Sequence, residues 1–245
     1  MNETLQTDTL SNENGSPVLR MTACYNQPFR ILNLYAGLGG NRKLWSGNIK
    51  VTAVEIDPEV AKIYQKYFPE DTVIVGDAHE YLLKHMEEFD FIWASPPCPS
   101  HSKMNTLMYG FKDNKRKKFE YPDMKLYQEI ILLDKWFKGK YVIENVIPYY
   151  DPLIPAQEID RHLFWANFKI GKFEPSQKKT IKGSDATVVS EFYGFDISEY
   201  KGKQRKDRIA RNCVHPETGK FILDRALNII RSSNNSQPSL FADAF

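Results

Sequence analysis

Cysteine is scarce in this chain, and no long apolar run is present. The three cysteines, Cys24, Cys98 and Cys213, cannot form the multi-disulfide framework of a small secreted domain. No stretch reaches the roughly 18 consecutive apolar residues that a membrane helix needs. The N-terminal residues also lack the basic start and apolar run of a signal peptide. These absences predict a cytoplasmic protein with no membrane partner.

The composition is that of a globular protein. The chain has 245 residues, of which 42% are apolar and 26% charged, so a wholly disordered, collagen-like or coiled-coil protein is excluded. The formal net charge is +2, and the body is more basic than this because both termini are acidic. A mildly basic body permits a nucleic-acid partner without requiring one. No Cys-x-x-Cys spacing is present, so no metal site is expected.

Alternating apolar runs and helical patterns predict an α/β fold. We expect five strands at Phe29–Tyr35, Val51–Glu55, Thr72–Val75, Phe89–Ala94 and Tyr141–Glu144, and helices at Pro58–Tyr67, Ala78–Glu88, Pro122–Lys138 and Gly219–Arg231. This alternation is typical of a parallel sheet with helices on both faces. Ligands of such sheets bind beyond the carboxyl ends of the strands.

Composition also divides the chain into segments. The expected divisions are a mobile tail at 1–27, a catalytic and cofactor-binding domain at 28–170, a short recognition region at 171–200, closing motifs with a returning helix at 201–231, and a flexible tail at 232–245.

The first three strand ends carry a glycine loop and two acids. Ala36–Gly40 lets the backbone turn sharply and approach a ligand, although similar runs also form plain tight turns. Glu55 suits ribose hydroxyls or, alternatively, the positive end of the following helix. Asp77 suits an exocyclic amine of adenine or, equally, an ordinary helix N-cap. No GxxxxGK[ST] motif is present, which argues against a nucleoside-triphosphate loop.

The fourth and fifth strand ends carry the most informative residues. Cys98 stands in the run Ser95–Ser102, where prolines fix the backbone on both sides of it. Such a rigid frame favours a nucleophile, because attack geometry contributes several kcal/mol. Glu144 ends a buried strand, where a carboxyl group needs a partner or a raised pKa that allows it to donate a proton. Cys213, beside an apolar helix, is interpreted as a core residue.

In this order, the motifs resemble those of the cytosine-C5 DNA methyltransferases. They are Asn33–Gly40 (NLYAGLGG), Glu55, Gly76-Asp77, Pro96-Pro97-Cys98 and Glu144-Asn145-Val146, with Arg211–Pro216 (RNCVHP) similar to the last motif of the family. The resemblance implies a Rossmann-like sheet that binds S-adenosyl-methionine and an enzyme that methylates a flipped-out cytosine. The resemblance also implies a role in DNA methylation and in restriction-modification.

The resemblance implies roles for individual residues. The implied catalytic residues are Cys98 as the nucleophile, Glu144 on the cytosine edge, and Arg161. The implied cofactor-binding residues are Tyr35, Ala36, Gly37, Leu38, Gly39, Gly40, Glu55, Ile56, Asp77, Ala78, Pro96, Asn212 and Val214. The expected DNA contacts are Ser102, Lys115, Arg116, Lys117, Lys118 and Arg205, with double-stranded DNA as the partner of a monomer. A solvated basic loop is the alternative interpretation of the lysine run.

The sequence departs from the family pattern at three places. Pro99 follows the nucleophile where glutamine is usual, Arg211 replaces a glycine, and the family's Gln-x-Arg-x-Arg strand is reduced to Arg161–Phe164. The recognition region at 171–200 is also too short for a core of its own, so we expect a short or loose target sequence, or help from a partner. A tRNA cytosine-C5 methyltransferase of the same fold and a non-catalytic cofactor-binding regulator are the alternatives.

The C-terminal tail carries a further motif. Gln237, Leu240 and Phe241 lie in the sequence QPSLF, which is similar to the peptide by which bacterial DNA enzymes bind the sliding clamp. Two large apolar residues in a polar tail suit a groove on a partner. A chance match, or a tail that docks on its own domain, is the alternative.

Overall fold

The computed structural model describes residues 27–103, 121–176 and 192–228, together with the backbone of two N-terminal strands. These strands, β1 (Thr7–Ser11) and β2 (Pro17–Met21), form an antiparallel hairpin within the segment 1–27, where we expected no regular structure. Thr7, Thr9 and Val18 favour extended backbone, which explains why these short segments pair as strands.

A mixed sheet of seven strands forms the centre of the fold. Its strands are β3 (Phe29–Leu34), β4 (Ile49–Glu55), β5 (Thr72–Val75), β6 (Phe91–Ala94), β7 (Lys140–Val146), β8 (Gln157–Ile159) and β9 (His162–Ala166). The spatial order is β5-β4-β3-β6-β7-β9-β8. The first five of these are parallel, as predicted, whereas β9 is antiparallel to β7 and β8 is antiparallel to β9. The parallel strands bring their carboxyl ends to one edge.

Helices cover both faces of the sheet. They are α1 (Pro58–Tyr67), α2 (Ala78–His85, followed by a 3-10 turn at Met86–Glu88), α3 (Lys125–Trp136), α4 (Lys206–Arg211) and α5 (Pro216–Ala226). Side chains of α2 and α3 share one apolar cluster with Leu32 and Ile92, while α1 and α5 pack on the other face, against Ala53 and Ile31 respectively. Successive residues of a strand point to opposite faces, which explains this division. None of the helices in the described ranges is long and apolar enough to cross a membrane.

Helix α5 begins and ends earlier than the predicted helix Gly219–Arg231. Pro216 occupies its first turn, and the His215 side chain accepts a hydrogen bond from the Glu217 amide at 3.3 Å. These features start the helix at Pro216. Asn228 has φ 56°, a left-handed conformation that is incompatible with helix continuation, and residues from 229 onward lie outside the described ranges.

The end of the expected recognition region packs into the main fold. Tyr193, Phe195 and Ile197 are buried in the same apolar cluster as Tyr64 of α1, and the Tyr200 hydroxyl donates to Asp57 at 2.7 Å. Residues 192–200 therefore pack into the core beside α1 and the carboxyl end of β4. Of the expected region 171–200, residues 177–191 lie outside the description.

Candidate active site

The glycine loop after β3 turns through three left-handed residues. Tyr35, Gly37 and Gly39 have φ values of 55°, 55° and 81°. A Cβ on Gly39 would lie 2.4 Å from the Phe68 ring, so this position has no room for a side chain. A Cβ on Gly37 would meet nothing within 4 Å, so Gly37 faces open space. The loop is thus packed against the protein at one glycine and open at another.

Glu55 holds this loop in place. Its Oε2 accepts a hydrogen bond from the Gly37 amide at 2.9 Å, and its Oε1 accepts from the Asp57 amide at 2.9 Å. Burial raises the pKa of the Glu55 carboxyl, and these backbone hydrogen bonds oppose the rise. A carboxylate has about four acceptor sites, so Glu55 can accept from a ligand hydroxyl in addition to these amides.

The ends of β4 and β5 add exposed apolar surface beside these polar groups. Ile56 and Val75 are 66% and 55% exposed. A Cβ on Gly76 would meet nothing within 4 Å. Asp77 accepts from the Glu80 amide at 3.0 Å, so it does cap α2, one of the two roles that the sequence left open. Apolar side chains next to an acid form a surface that suits a nucleoside.

Tyr35 and His79, which directly follows Ala78, contact a buried carboxyl group on α3. The Tyr35 hydroxyl donates to Glu129 Oε1, and His79 Nδ1 lies 3.2 Å from the same oxygen. Burial raises the pKa of Glu129, while the hydrogen bond from Tyr35 lowers it. This network fixes the side chain of Tyr35 at the start of the glycine loop.

The segment after β6 presents Cys98 on a tight turn. The Cys98 carbonyl accepts hydrogen bonds from the amides of His101 and Ser102 at 3.0 and 3.2 Å, and Ser102 forms a β-bridge with Pro148 beyond β7. Pro96 is held from the neighbouring strand, because its carbonyl oxygen accepts from Asn145 Nδ2 at 3.0 Å. The nucleophile segment Pro96–Ser102, which carries Cys98, is therefore attached at one end to β7 and at the other end to the residues that follow β7.

Glu144 lies at the end of β7 with its carboxyl group buried. Burial raises its pKa to about 7, although a hydrogen bond with the Ser95 side chain and the positive charge of Arg161 oppose the rise. Ser95 Oγ in turn accepts from Trp93 Nε1 at 2.9 Å. A carboxyl group with this pKa is protonated in a large fraction of molecules at neutral pH, which suits proton donation.

The thiol of Cys98 is not held as a thiolate in this arrangement. Burial and the nearby Glu144 carboxylate raise its pKa, while Arg161 and Arg208 oppose the rise. The site by itself therefore disfavours ionisation of Cys98. The physical reason is that burial of the thiol outweighs the two arginine charges. The same interaction shows that Cys98 and Glu144 are electrostatic neighbours.

Arg161 and His162 occupy different positions although they are adjacent in sequence. Arg161 lies in the β8–β9 turn with an exposed side chain that hydrogen-bonds Tyr193. His162 begins β9, and its Nε2 lies 3.5 Å from Glu144 Oε1. Arg161, the predicted catalytic residue, therefore affects Glu144 through its charge, whereas His162 is the closer side chain.

The closing motif packs against the glycine loop. A Cβ on Gly40 would lie 2.5 Å from the Val214 carbonyl oxygen, so these two backbones are in close contact. Cys213 is buried in the core, as predicted, and burial raises its pKa to about 12. Asn212 is exposed at the end of α4. The structure thus brings Val214, and not the Asn212 side chain, against the loop.

Part of the chain is similar in sequence to known proteins. Residues 29–148 match the family model "C-5 cytosine-specific DNA methylase". Two relatives from Herpetosiphon aurantiacus are the Type II methyltransferase M.HgiBI, 25% identical over 208 residues, and the Type II methylase M.HgiEI, 26% identical over 210 residues. Residues 29–148, just under half of the chain, are thus similar to the C-5 cytosine-specific DNA methylases.

The extent of this similarity is limited. Each Herpetosiphon match covers 78% of this chain but only 45% of the relative. The chain thus spans about half the length of the curated relatives it matches. The solved structure of the Entamoeba histolytica methyltransferase EhMeth covers 84% of this chain and 100% of its own, with 10% identity and a TM-score of 0.46.

The structure describes only some of the predicted DNA contacts. Arg205 precedes α4, and its guanidinium forms two 3.0 Å hydrogen bonds with Asp207 while remaining mostly exposed. Ser102 lies in the nucleophile segment. The residues outside the described ranges are Lys115, Arg116, Lys117 and Lys118 of the basic run and Gln237, Leu240 and Phe241 of the tail.

Sequence reasoning missed several residues of the site. Ser95, His162 and Arg208 all lie near Cys98 or Glu144 or influence their charge, yet none was predicted as a site residue. Ser95 could have been found, because it directly follows a buried strand. Arg208 could not, since it comes from a helix more than a hundred residues away in sequence.

Proposed function

We propose that this protein transfers a methyl group from S-adenosyl-methionine to C5 of cytosine in double-stranded DNA. The observation that carries the proposal is the pair of Cys98 and Glu144 at adjacent strand ends, joined by the hydrogen bond from Asn145 to Pro96. A nucleophile beside a carboxyl group of raised pKa is the pair that addition to a pyrimidine ring requires.

The edge formed by β3, β4 and β5 fits S-adenosyl-methionine. Open space at Gly37 and Gly76 accommodates a ligand close to the backbone, and the exposed side chains of Ile56 and Val75 suit the faces of an adenine ring. Glu55 would accept from ribose hydroxyls, and Asp77 would accept from the adenine amine. When bound here, the cofactor supplies an electrophilic methyl group.

The residues of the chain would then act on a cytosine rotated out of the duplex. Cys98 adds to C6 as a thiolate, and Glu144 donates a proton or hydrogen bond to N3, so that C5 becomes nucleophilic. After methyl transfer, the C5 proton passes to water, the Cys98–C6 bond breaks with its electron pair returning to sulfur as a thiolate, and any proton on N3 returns to Glu144, which releases 5-methylcytosine. The exposed Arg161 and Arg208 contribute positive charge that lowers the free energy of the thiolate.

The test is methyl transfer by the full-length chain from tritiated S-adenosyl-methionine to duplex DNA and, in parallel, to tRNA. We expect label in DNA, at a site located by bisulfite sequencing, and a covalent complex with duplex containing 5-fluorocytosine. Cys98→Ala should abolish both products while binding the cofactor as the parent does, measured by calorimetry. Turnover by the alanine variant would disprove the covalent mechanism, and label confined to tRNA would disprove the DNA assignment.

A further inference from the structure

The antiparallel pairing of β7 with β9 places His162 beside Glu144. Glu144 lies opposite Phe164 in this ladder and Val146 lies opposite His162, so Glu144 and His162 are diagonal neighbours on one face of the sheet. Imidazole Nε2 and Glu144 Oε1 are 3.5 Å apart, and the two side chains are 15% and 9% exposed. Burying two polar groups costs free energy unless they form hydrogen bonds.

We propose that His162 is a positioning residue that holds one oxygen of Glu144, so that the other oxygen meets the cytosine. This inference rests on the proposed function, in which Glu144 contacts the base. In its Nε2–H tautomer, His162 donates to Oε1 and the carboxyl proton remains on Oε2, ready for the ring nitrogen. The 3.5 Å distance exceeds a normal hydrogen bond, and contacts of this kind shorten when substrate binds.

The charge state of the imidazole suits this task. Burial and the charge of Arg161 lower the pKa of His162 to about 3, so the ring is neutral at pH 7. A protonated imidazole would instead hold Glu144 as a carboxylate and oppose its protonation. The other groups that face Glu144 are Ser95 from the end of β6, Cys98 from the nucleophile segment and Arg161 from the β8–β9 turn.

Arg161 and His162 therefore have separable effects on the same carboxyl group. Arg161 is exposed and acts on Glu144 as a charge, an effect that salt screens. His162 acts by direct contact in a buried place, where salt has little influence. A variant of Arg161 is therefore a matched control for variants of His162, because its effect on the Glu144 pKa should depend on salt.

The experiment compares full-length His162→Leu, His162→Gln and Arg161→Gln with the parent. Leucine has a similar volume to histidine but no hydrogen-bond donor. The glutamine amide carries an N–H near the position of imidazole Nε2. The Glu144 pKa is measured by NMR with ¹³C-labelled glutamate carboxyl groups, with the Glu144→Gln spectrum used for assignment. In the same variants, kcat and KM for duplex DNA are measured, and thermal unfolding verifies folding.

We expect His162→Leu to raise the Glu144 pKa at both low and high salt, because a donor to the carboxylate is lost. We expect kcat to fall by roughly 10-fold to 100-fold, with little change in KM. His162→Gln should restore both values in large part, whereas the pKa shift in Arg161→Gln should shrink as salt is added. An unchanged pKa and kcat in His162→Leu, or a glutamine variant no better than leucine, would overturn the proposal. If the parent methylates no nucleic acid, the proposed function fails, while the NMR comparison still decides whether His162 holds Glu144.

Discussion

Asn145 joins the two strand ends that carry the candidate catalytic residues. Its Nδ2 donates to the Pro96 carbonyl oxygen at 3.0 Å, and its Oδ1 accepts from the Val146 amide at 2.9 Å. The side chain is 2% exposed, so these hydrogen bonds have little competition from water. We therefore expect this amide to set the spacing between the strand ends that carry Cys98 and Glu144.

Replacing Asn145 should therefore impair both stability and chemistry. Asn145→Ala leaves the Pro96 carbonyl without its partner, and we expect a loss of about 1–3 kcal/mol in the free energy of unfolding. Asn145→Asp keeps the Oδ1 acceptor but lacks the donor to Pro96, so it should also reduce methyl transfer. Chemical denaturation and the tritium assay measure the two effects. Full activity in both variants would show that Asn145 does not set the site geometry.

The raised pKa of Cys98 should be visible in its alkylation rate. Because burial and Glu144 disfavour the thiolate, Cys98 should react with iodoacetamide more slowly than free cysteine at pH 7.5, and the rate should rise at alkaline pH. Arg208→Gln should slow the reaction further, because a charge that stabilises the thiolate is removed. Mass spectrometry distinguishes Cys98 from Cys24 and Cys213. Faster reaction than free cysteine at pH 7.5 would contradict this picture.

Glu144→Gln should stabilise the fold at alkaline pH while it abolishes most activity. The folded-state pKa of about 7 is above the ordinary value of 4.5, so the folded chain retains a proton that the unfolded chain loses between these values. The stability of the parent therefore falls as pH rises from about 4.5 to about 7. At pH 8, Glu144→Gln should be more stable than the parent by roughly 1–3 kcal/mol, and at pH 4.5 the difference should be small.

Denaturation curves at the two pH values check this prediction, and Ser95→Ala is the matched control. The Ser95 side chain lowers the Glu144 pKa, so its removal should enlarge the loss of stability with pH. A glutamine variant that is less stable than the parent at pH 8 would assign Glu144 a mainly structural role.

Two glycines of the same loop should respond differently to alanine. A Cβ on Gly40 would lie 2.5 Å from the Val214 carbonyl oxygen, so Gly40→Ala must displace backbone and should reduce stability by more than about 2 kcal/mol. Gly37→Ala meets no atom but keeps an unfavourable φ of 55°, at about 1 kcal/mol. If the cofactor occupies the space at Gly37, this variant should lose S-adenosyl-methionine affinity. Calorimetry with the folded Gly37→Ala protein is the measurement, and unchanged affinity would place the cofactor elsewhere.

The C-terminal motif gives a prediction that is independent of the active site. A labelled peptide of residues 232–245 should bind a bacterial sliding clamp with a Kd on the order of micromolar, measured by fluorescence anisotropy. Replacing Leu240 and Phe241 with alanine should abolish binding, because both apolar anchors are lost. In the full-length chain, the same double replacement should leave methyl transfer to short duplexes unchanged. No binding by the peptide or by the full-length protein would end the clamp hypothesis.

The parallel part of the sheet was predictable because its signals are local. The apolar-rich segments of β3 and β6 and the helix starts at Pro58 and Ala78 depend on residues close together in sequence. The order in which the candidate site residues follow the strands is read from the same local patterns. The hairpin of β8 and β9 and the early start of α5 were harder to predict. The conformation of such short segments depends on their pairing and capping partners.

The sequence by itself determined the strand ends at which a glycine loop, Cys98 and Glu144 stand, since a strand's end is marked by the residues that follow it. Only the tertiary structure decided which side chains surround these groups. Antiparallel pairing brings His162 to Glu144, and α4 brings Arg208 near Cys98. Burial then raises the pKa of both the thiol and the carboxyl group. Such shifts depend on solvent exclusion and on charges from distant parts of the chain, which no local pattern specifies.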